Sequence, residues 1–374
     1  MPELVALAVP GGPRFVDELR RAWDDGDAVY PVDLRLAPAA QNALLGAMKP
    51  RWLVDAEGVR HAYDGHEPVE PGDSLVVATS GTTGEPRGVV LTHDAVQASA
   101  RATSVRLGVD PGRDRWLACL PLAHVGGLSV VTRALVTETP LEVHPGFDVD
   151  RVAGAADNGA TLVSLVATAL RRINARSFRC IVLGGAAPPD DLPANVVTTY
   201  GLTETGSGVV YDGWPLDGVE VAVDEDDGSI LVKGPMLLRA YRDGNDPRHS
   251  GGWLTTGDVG AFAPDGRLVV AGRRGELIIT GGENVWPEPV EAVLAMVPGV
   301  ADVAVAGRLD EEWGQRVVAF IVPDAEGPPT LDTLRSAVKD ALAAHAAPRE
   351  LVLVDSIPRT ALGKVRRGAL PSPH

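Results

Sequence analysis

Between Leu75 and Tyr200 short apolar runs alternate with amphipathic stretches, a rhythm that restricts this part of the chain to stacked strand–helix units. Strands are expected at Leu75–Ala78, Val89–Leu91, Trp116–Leu120, Thr161–Val166, Cys180–Leu183 and Asn195–Thr199. Thr92, His93 and Asp94 offer caps to a helix over Ala95–Arg106. Loops at the carboxyl ends of such strands are where α/β sheets take ligands. After Gly201 the texture changes to β-branched runs divided by Asp-Gly turns, at Glu220–Val223, Ser229–Val232 and Arg267–Val270. A third texture starts near Gly275, with a strand at Leu277–Thr280, a helix at Glu288–Met296, strands at Val303–Ala306 and Val317–Val322, and a helix at Leu331–Ala344. The expected fold is therefore α/β: a large N-terminal domain of stacked α/β units with a small β-subdomain over residues 1–274, then an α+β C-terminal domain over 275–374. A chain of 374 residues accommodates this, at roughly 100–200 residues per domain.

The formal charge of −16 argues against nucleic acid and against an anionic membrane as partners. Any polyphosphate must then be held locally, by backbone amides, a few basic side chains and a metal ion. Cys119 and Cys180 form no metal or redox spacing. Met1-Pro2-Glu3-Leu4 carries no basic leader ahead of an apolar run, so no signal peptide is expected, and the expected setting is a reducing cytoplasm. A homodimer is compatible with the sequence.

The most informative segment is Thr79-Ser80-Gly81-Thr82-Thr83-Gly84-Glu85-Pro86-Arg87-Gly88. It follows a strand and is dense in hydroxyls and glycines. Glycines let a backbone approach a polyphosphate, hydroxyls donate to its oxygens, and Arg87 adds a fork-shaped cation. The GxxxxGK[ST] spacing of a Walker A loop is absent. By composition alone, a surface turn rich in Ser, Thr and Gly fits equally well.

In its order of residues this stretch resembles the signature of the adenylate-forming superfamily, which holds acyl-CoA synthetases, luciferases and peptide-synthetase adenylation domains. Arg87 stands where that family usually has lysine. Four further landmarks follow in the family's order. Tyr200-Gly201-Leu202-Thr203-Glu204-Thr205 resembles its second signature, which implies that Tyr200 stacks on adenine, Thr203 contacts the α-phosphate and Glu204 holds Mg²⁺. The resemblance makes Asp258, in Thr256-Gly257-Asp258, the acceptor for the ribose hydroxyls, and Arg273 the grip on ribose and phosphate. Gly184, Gly185 and Ala186 look like the adenine-side loop. Lys364, closing Pro358–Lys364, matches the family's catalytic lysine and would stabilise charge on the attacking carboxylate and α-phosphate. Read without the resemblance, Asp258 is a turn residue, and Arg273 and Lys364 are solvated surface charges.

The implied reaction is carboxylate plus ATP giving acyl-AMP and pyrophosphate, then attack by coenzyme A with release of AMP. Cofactors and cosubstrates are thus ATP, Mg²⁺ and coenzyme A. In the family the C-terminal domain is mobile and turns between the two steps about a pivot matching Gly275, where glycine accepts large backbone changes. Gly282 falls on the implied pantetheine path. The short lead-in before Thr79 is similar to that of o-succinylbenzoate–CoA ligases of menaquinone biosynthesis, as are Leu120–Leu128, Ser164–Thr168 and Thr205–Gly213. That likeness implies a dianionic acid whose second carboxylate faces Arg133, on a helix over Leu128–Leu135, and Ser164 at a strand end, with His124 gating the acyl pocket. The plain alternatives are a surface arginine and a packed core histidine. Other readings of the whole chain are another aryl- or acyl-CoA ligase, an adenylation domain that loads a carrier protein, and a nucleotide-binding protein without the chemistry.

Overall fold

A computed structural model of the chain describes residues 1–80, 86–186, 188–189, 191–325, 327–359 and 365–371. The chain divides into two compact units: Met1–Ala222 with Leu231–Thr256 and Pro264–Leu268, and Val223–Ile230 with Gly257–Ala263 and Val269–His374.

The first unit holds two seven-stranded sheets. One runs, in spatial order, Ala240–Tyr241, Pro86–Thr92, Asp73–Ser80, Ala28–Pro31, Leu4–Leu7, Trp52–Val54 and Arg60–Ala62. Its centre is parallel (Leu4 beside Ala28, Val5 beside Trp52), and its strands Leu4–Leu7 and Ala28–Pro31 are buried at every position, as strands covered on both faces must be. The other runs Trp214–Pro215, Gly208–Tyr211, Val196–Gly201, Cys180–Leu183, Leu162–Leu165, Trp116–Ala118 and Leu141–Val143. Its five strands from Val196–Gly201 to Leu141–Val143 are parallel, so their carboxyl ends share one edge.

Two helices of this unit pack on each other. His93–Leu107 begins where the Thr92 hydroxyl accepts from the Ala95 N–H at 3.1 Å and ends at Gly108 in the left-handed region, so both caps are met. Val125–Val136 is buried continuously from Gly127 to Ala134. A helix buried all round needs close neighbours, and at Gly127 an added Cβ would stand 2.4 Å from the Leu120 carbonyl oxygen. Among the described residues no helix is long and apolar enough to cross a membrane.

In the second unit Val300–Asp310 and Gly314–Pro323 form a long antiparallel pair, flanked by Ile278–Thr280, Glu283–Val285 and Glu350–Leu353. Alternation sorts its faces. Val303, Val305, Val317, Ala319 and Ile321 pack with Val290 and Leu294 of the helix Pro287–Leu294 and Leu334 and Val338 of the helix Leu331–Ala341. Ala304, Ala306, Val318 and Phe320 close the other face with Ile357 and Leu370. Each fully buried aliphatic or aromatic side chain here contributes about 1.5–3 kcal/mol. The expected elements are all present, with ends moved by a few residues: Glu288–Met296 is found as Pro287–Leu294, Leu331–Ala344 as Leu331–Ala341, and Arg267–Val270 as Leu268–Arg273.

Candidate active site

The phosphate-loop segment is a hairpin connection. Thr79 pairs with Arg87 and Ser80 with Pro86 across the antiparallel strands that enter and leave it. Gly81, Thr82, Thr83 and Gly84 lie outside the described residues, as does Lys364. The Arg87 guanidinium lies over the Tyr241 ring at 5.2 Å, a contact typical of cation–π attraction.

Adjacent parallel strands bring the next group to one edge. Leu162–Leu165 ends beside Cys180–Leu183, and the Gly184 N–H donates to the Leu165 carbonyl at 3.2 Å. Gly185 follows in the left-handed region and Ala186 is exposed. An added Cβ at Gly184 would meet the Thr199 methyl at 3.0 Å, so this turn lies against the strand that carries Tyr200. The approach is tighter at Gly201, where a Cβ would stand 2.2 Å from the Ser207 carbonyl oxygen. Thr205 closes that turn. Its hydroxyl accepts from the Leu202 N–H at 2.8 Å and is itself within bonding reach of the Leu202 and Ser207 carbonyls. Thr203 and Glu204 are thereby displayed on a short helical turn. Tyr200, Thr203, Glu204, Gly184 and Gly185 thus come together at the carboxyl ends of parallel strands.

Tyr241 was not foreseen. Its hydroxyl donates to Glu204 Oε1 at 2.9 Å, and the Leu238 N–H donates to the Glu204 carbonyl at 2.8 Å. Burial, and then the Glu204 charge, push the Tyr241 phenol up to about 12, so it remains a donor. Its signal in the sequence was a lone Ala-Tyr pair with no repeat to mark it.

Arg133 is 2% exposed, which removes the surface reading. Its guanidinium lies over Trp116 at 4.9 Å, and Nη2 donates to the Ser207 hydroxyl at 3.2 Å. Among the described residues Nε and Nη1 have no hydrogen-bond partner. Burial lowers its pKa, opposed by the nearby Tyr211 and Cys180. It lines a cleft between the helices His93–Leu107 and Val125–Val136, together with Leu91, Ser99, Leu128, Thr132 and Gly206. Ser164 is buried in its strand beside Val182, and the hydroxyl joined to Arg133 is that of Ser207 instead. His124 is the residue preceding the helix Val125–Val136, and its Nε2 is 2.8 Å from Arg35 Nη2 and 3.4 Å from Asp33 Oδ2. Cys119 and Cys180 are buried free thiols, and burial pushes Cys119 up to about 12.

The second unit carries its own group. Asp258 is buried, and its Oδ1 is 3.1 Å from Arg273 Nε. Gly281 and Gly282 both have positive φ, 60° and 84°, between strands paired at Thr280 and Glu283. That is a two-residue hairpin of the type that demands left-handed residues, which accounts for both glycines. At Gly275 an added Cβ would meet nothing within 4 Å, so the conformation seen does not by itself require glycine.

Among the described residues no cluster of three or more His, Cys, Asp or Glu is arranged to hold a metal alone. One carboxylate, Glu204, on a short helical turn, suits instead a hard cation that arrives with phosphate oxygens.

The AMP-binding enzyme model matches residues 18–242, and the AMP-binding enzyme C-terminal domain matches 289–364. The chain is 41% identical to a Mycobacterium tuberculosis protein named "Probable 2-succinylbenzoate–CoA ligase", over 98% of this chain and 97% of that one. It is 34% identical to the 2-succinylbenzoate–CoA ligase of Bacillus licheniformis, over 86% of this chain and 76% of the other. The solved o-succinylbenzoate CoA synthetase of Bacillus subtilis, in complex with its acyl-adenylate intermediate, superposes with a TM-score of 0.88 at 28% identity, over 100% of this chain and 88% of that chain. The same protein in complex with ATP and magnesium ion superposes at 0.87 with 28% identity, over 98% of this chain and 89% of that one. The chain belongs to the AMP-binding enzyme family, as a member of its 2-succinylbenzoate–CoA ligase branch.

Proposed function

We propose that the chain ligates o-succinylbenzoate to coenzyme A in menaquinone biosynthesis, in the cytoplasm. In the first step an acid carboxylate oxygen bonds to the α-phosphorus of ATP and pyrophosphate leaves. In the second the coenzyme A sulfur, its proton lost, bonds to the acyl carbon and AMP leaves. Neither step needs more than positioning and charge stabilisation from the protein. Glu204 would hold the Mg²⁺ that ATP brings, which neutralises phosphate charge. Tyr200, Gly184, Gly185 and Ala186 receive adenine; Thr79, Ser80, Gly81, Thr82, Thr83, Gly84 and Arg87 receive the phosphates; and Thr203 receives the α-phosphate. Asp258 and Arg273 take the ribose, Lys364 acts in the first step and Gly282 lies on the thiol path. The domains are taken as 1–274 and 275–374, turning about Gly275.

The observation that carries the substrate is Arg133. A buried guanidinium with two nitrogens unpaired among the described residues is costly to keep, and a carboxylate is the bidentate partner its fork fits. An acid with a second carboxylate on its aromatic ring supplies that partner, with the Ser207 hydroxyl beside it. A simple fatty acid would leave the charge unmatched. The negative charge of the chain argues against nucleic acid and an anionic membrane as partners.

The test is AMP release with ATP, Mg²⁺ and coenzyme A, offering o-succinylbenzoate, benzoate and a medium-chain fatty acid separately. Turnover confined to o-succinylbenzoate is expected. Turnover only with one of the others removes the substrate assignment and leaves a ligase for a different acid.

A further inference from the structure

The first 75 residues carry none of the motifs on which the reaction rests, yet one of their loops reaches His124. Directly after the strand Ala28–Pro31, Asp33 Oδ1 accepts from the Arg35 N–H at 3.1 Å, a local turn that folds the two side chains together. Arg35 then grips the same carboxylate with Nε at 2.8 Å and Nη2 at 2.7 Å. The Asp33 side chain is 8% exposed, so it is a fixed post and not a solvated tail. What this unit presents to its surroundings is an oriented guanidinium N–H, and Nη2 points it at His124 Nε2, 2.8 Å away. A guanidinium has no lone pair to offer. Nε2 is therefore the acceptor, and a neutral imidazole whose Nε2 accepts carries its proton on Nδ1. Asp33 Oδ2 also faces Nε2, but at 3.4 Å against 2.8 Å, so the shorter contact, with the donor, decides.

We propose that Asp33 and Arg35 are positioning residues that fix the ring and tautomer of His124 at the mouth of the acyl site, and so set the affinity for the acid. This rests on the reading of His124 as a wall of that site. His124 sits at the head of the helix that carries Arg133, and its side chain makes no cap bond to that helix, so its orientation comes from Arg35. The contact spans 89 residues of sequence, which is why no local pattern announces it.

The experiment labels histidine nitrogen and reads the His124 tautomer by NMR, assigned with His124→Ala, beside KM for o-succinylbenzoate and for ATP. The intact protein is expected to show Nδ1–H. Arg35→Met is expected to shift His124 mainly to Nε2–H and to raise KM for the acid about 5- to 20-fold, the cost of roughly one charged hydrogen bond, while KM for ATP moves less than about 2-fold. Arg35→Lys, which still offers an N–H, is expected to keep the tautomer and to recover most of the acid affinity. Asp33→Asn, which loosens the post without removing the donor, is expected to fall between the two. Nε2–H in the intact protein, or an unmoved tautomer or acid KM in folded Arg35→Met, overturns the inference. An acid KM unchanged by His124→Ala would instead remove the reading of His124 on which the inference stands.

Discussion

The Tyr241 hydroxyl donates to Glu204 Oε1 across 2.9 Å, while the ring of the same tyrosine lies under the Arg87 guanidinium at 5.2 Å. One side chain thus ties the strand that leaves the phosphate loop to the carboxylate expected to meet the metal. It does so from a two-residue strand, Ala240–Tyr241, whose pairing with Val90 and Val89 fixes the phenol's position.

Tyr241→Phe keeps the ring and removes the donor. The Glu204 carboxylate then loses the bond that orients it, and Mg²⁺·ATP is expected to bind about 5- to 30-fold more weakly, the equivalent of one charged hydrogen bond. Calorimetry with a non-hydrolysable ATP analogue, with and without Mg²⁺, reads this apart from turnover. Equal loss in both conditions would place Tyr241 in packing alone.

A half-buried cage surrounds Arg367 in the second unit. Its guanidinium meets Glu276, Glu291 Oε1 at 2.7 Å and Glu288 Oε1 at 3.6 Å, and Nε donates to the Val305 carbonyl at 2.9 Å. Three carboxylates share one cation. Burial first, and the charges of Glu276 and Glu291 after it, raise Glu288 from 4.5 to about 7 against the pull of Arg367. A carboxyl raised on folding binds more protons in the native state, so its effect on stability worsens as pH climbs from about 4.5 through 7. Glu288→Gln is therefore expected to stabilise the protein at pH 8, by on the order of 2 kcal/mol, with the gain vanishing near pH 4. Denaturant unfolding at the two pH values checks the sign. A gain at pH 4 alone would reverse it.

Away from the carboxyl ends of the strands, Asp114 is 4% exposed and receives Arg179 in a two-pronged pair, Nε to Oδ1 and Nη2 to Oδ2, both 2.8 Å, with the Thr161 hydroxyl also donating. Burial raises its pKa, and the bonds from Arg179, the Asp110 N–H and the Thr161 hydroxyl together more than reverse this, leaving it below the usual carboxylate range. The pair stands where Trp116–Ala118, Leu162–Leu165 and Cys180–Leu183 begin, at the ends opposite the site. Asp114→Ala is expected to lower stability by about 1–3 kcal/mol by removing the acceptor shared by Arg179, the Thr161 hydroxyl and the Asp110 N–H, while kcat per folded molecule stays within about 2-fold. A large loss of kcat with unchanged stability would contradict the division between the two ends of the sheet.

The central strands and the helices on them were legible because runs such as Leu75–Ala78 and Cys180–Leu183 carry apolar residues without interruption, the mark of strands covered on both faces. Helix ends were less so. The helix expected over Leu128–Leu135 starts at Val125, and Gly127 within it serves close packing on Leu120. Gly282 shows the opposite case: a glycine noted for function is required by its hairpin. The site's backbone was written in ordered motifs, whereas its side-chain partners were not. Tyr241 meets Glu204 from 37 residues away, and Ser207 meets Arg133 from 74, distances over which periodicity carries no information. Arg133 looked equally suited to a surface because one charge in an apolar helix does not say which way the helix faces.

The central claim is that Arg133 exists to receive the ring carboxylate of o-succinylbenzoate. Its most direct test compares kcat/KM for o-succinylbenzoate and for 4-oxo-4-phenylbutanoate, which lacks only that carboxylate, in the native protein and in Arg133→Met. Discrimination of about 10²- to 10³-fold is expected in the native protein, collapsing to less than about 10-fold in the variant, because a buried charge left unmatched is what rejects the smaller acid. Equal discrimination in both proteins, with the variant folded, would show that some other group recognises the acid and would contradict the claim.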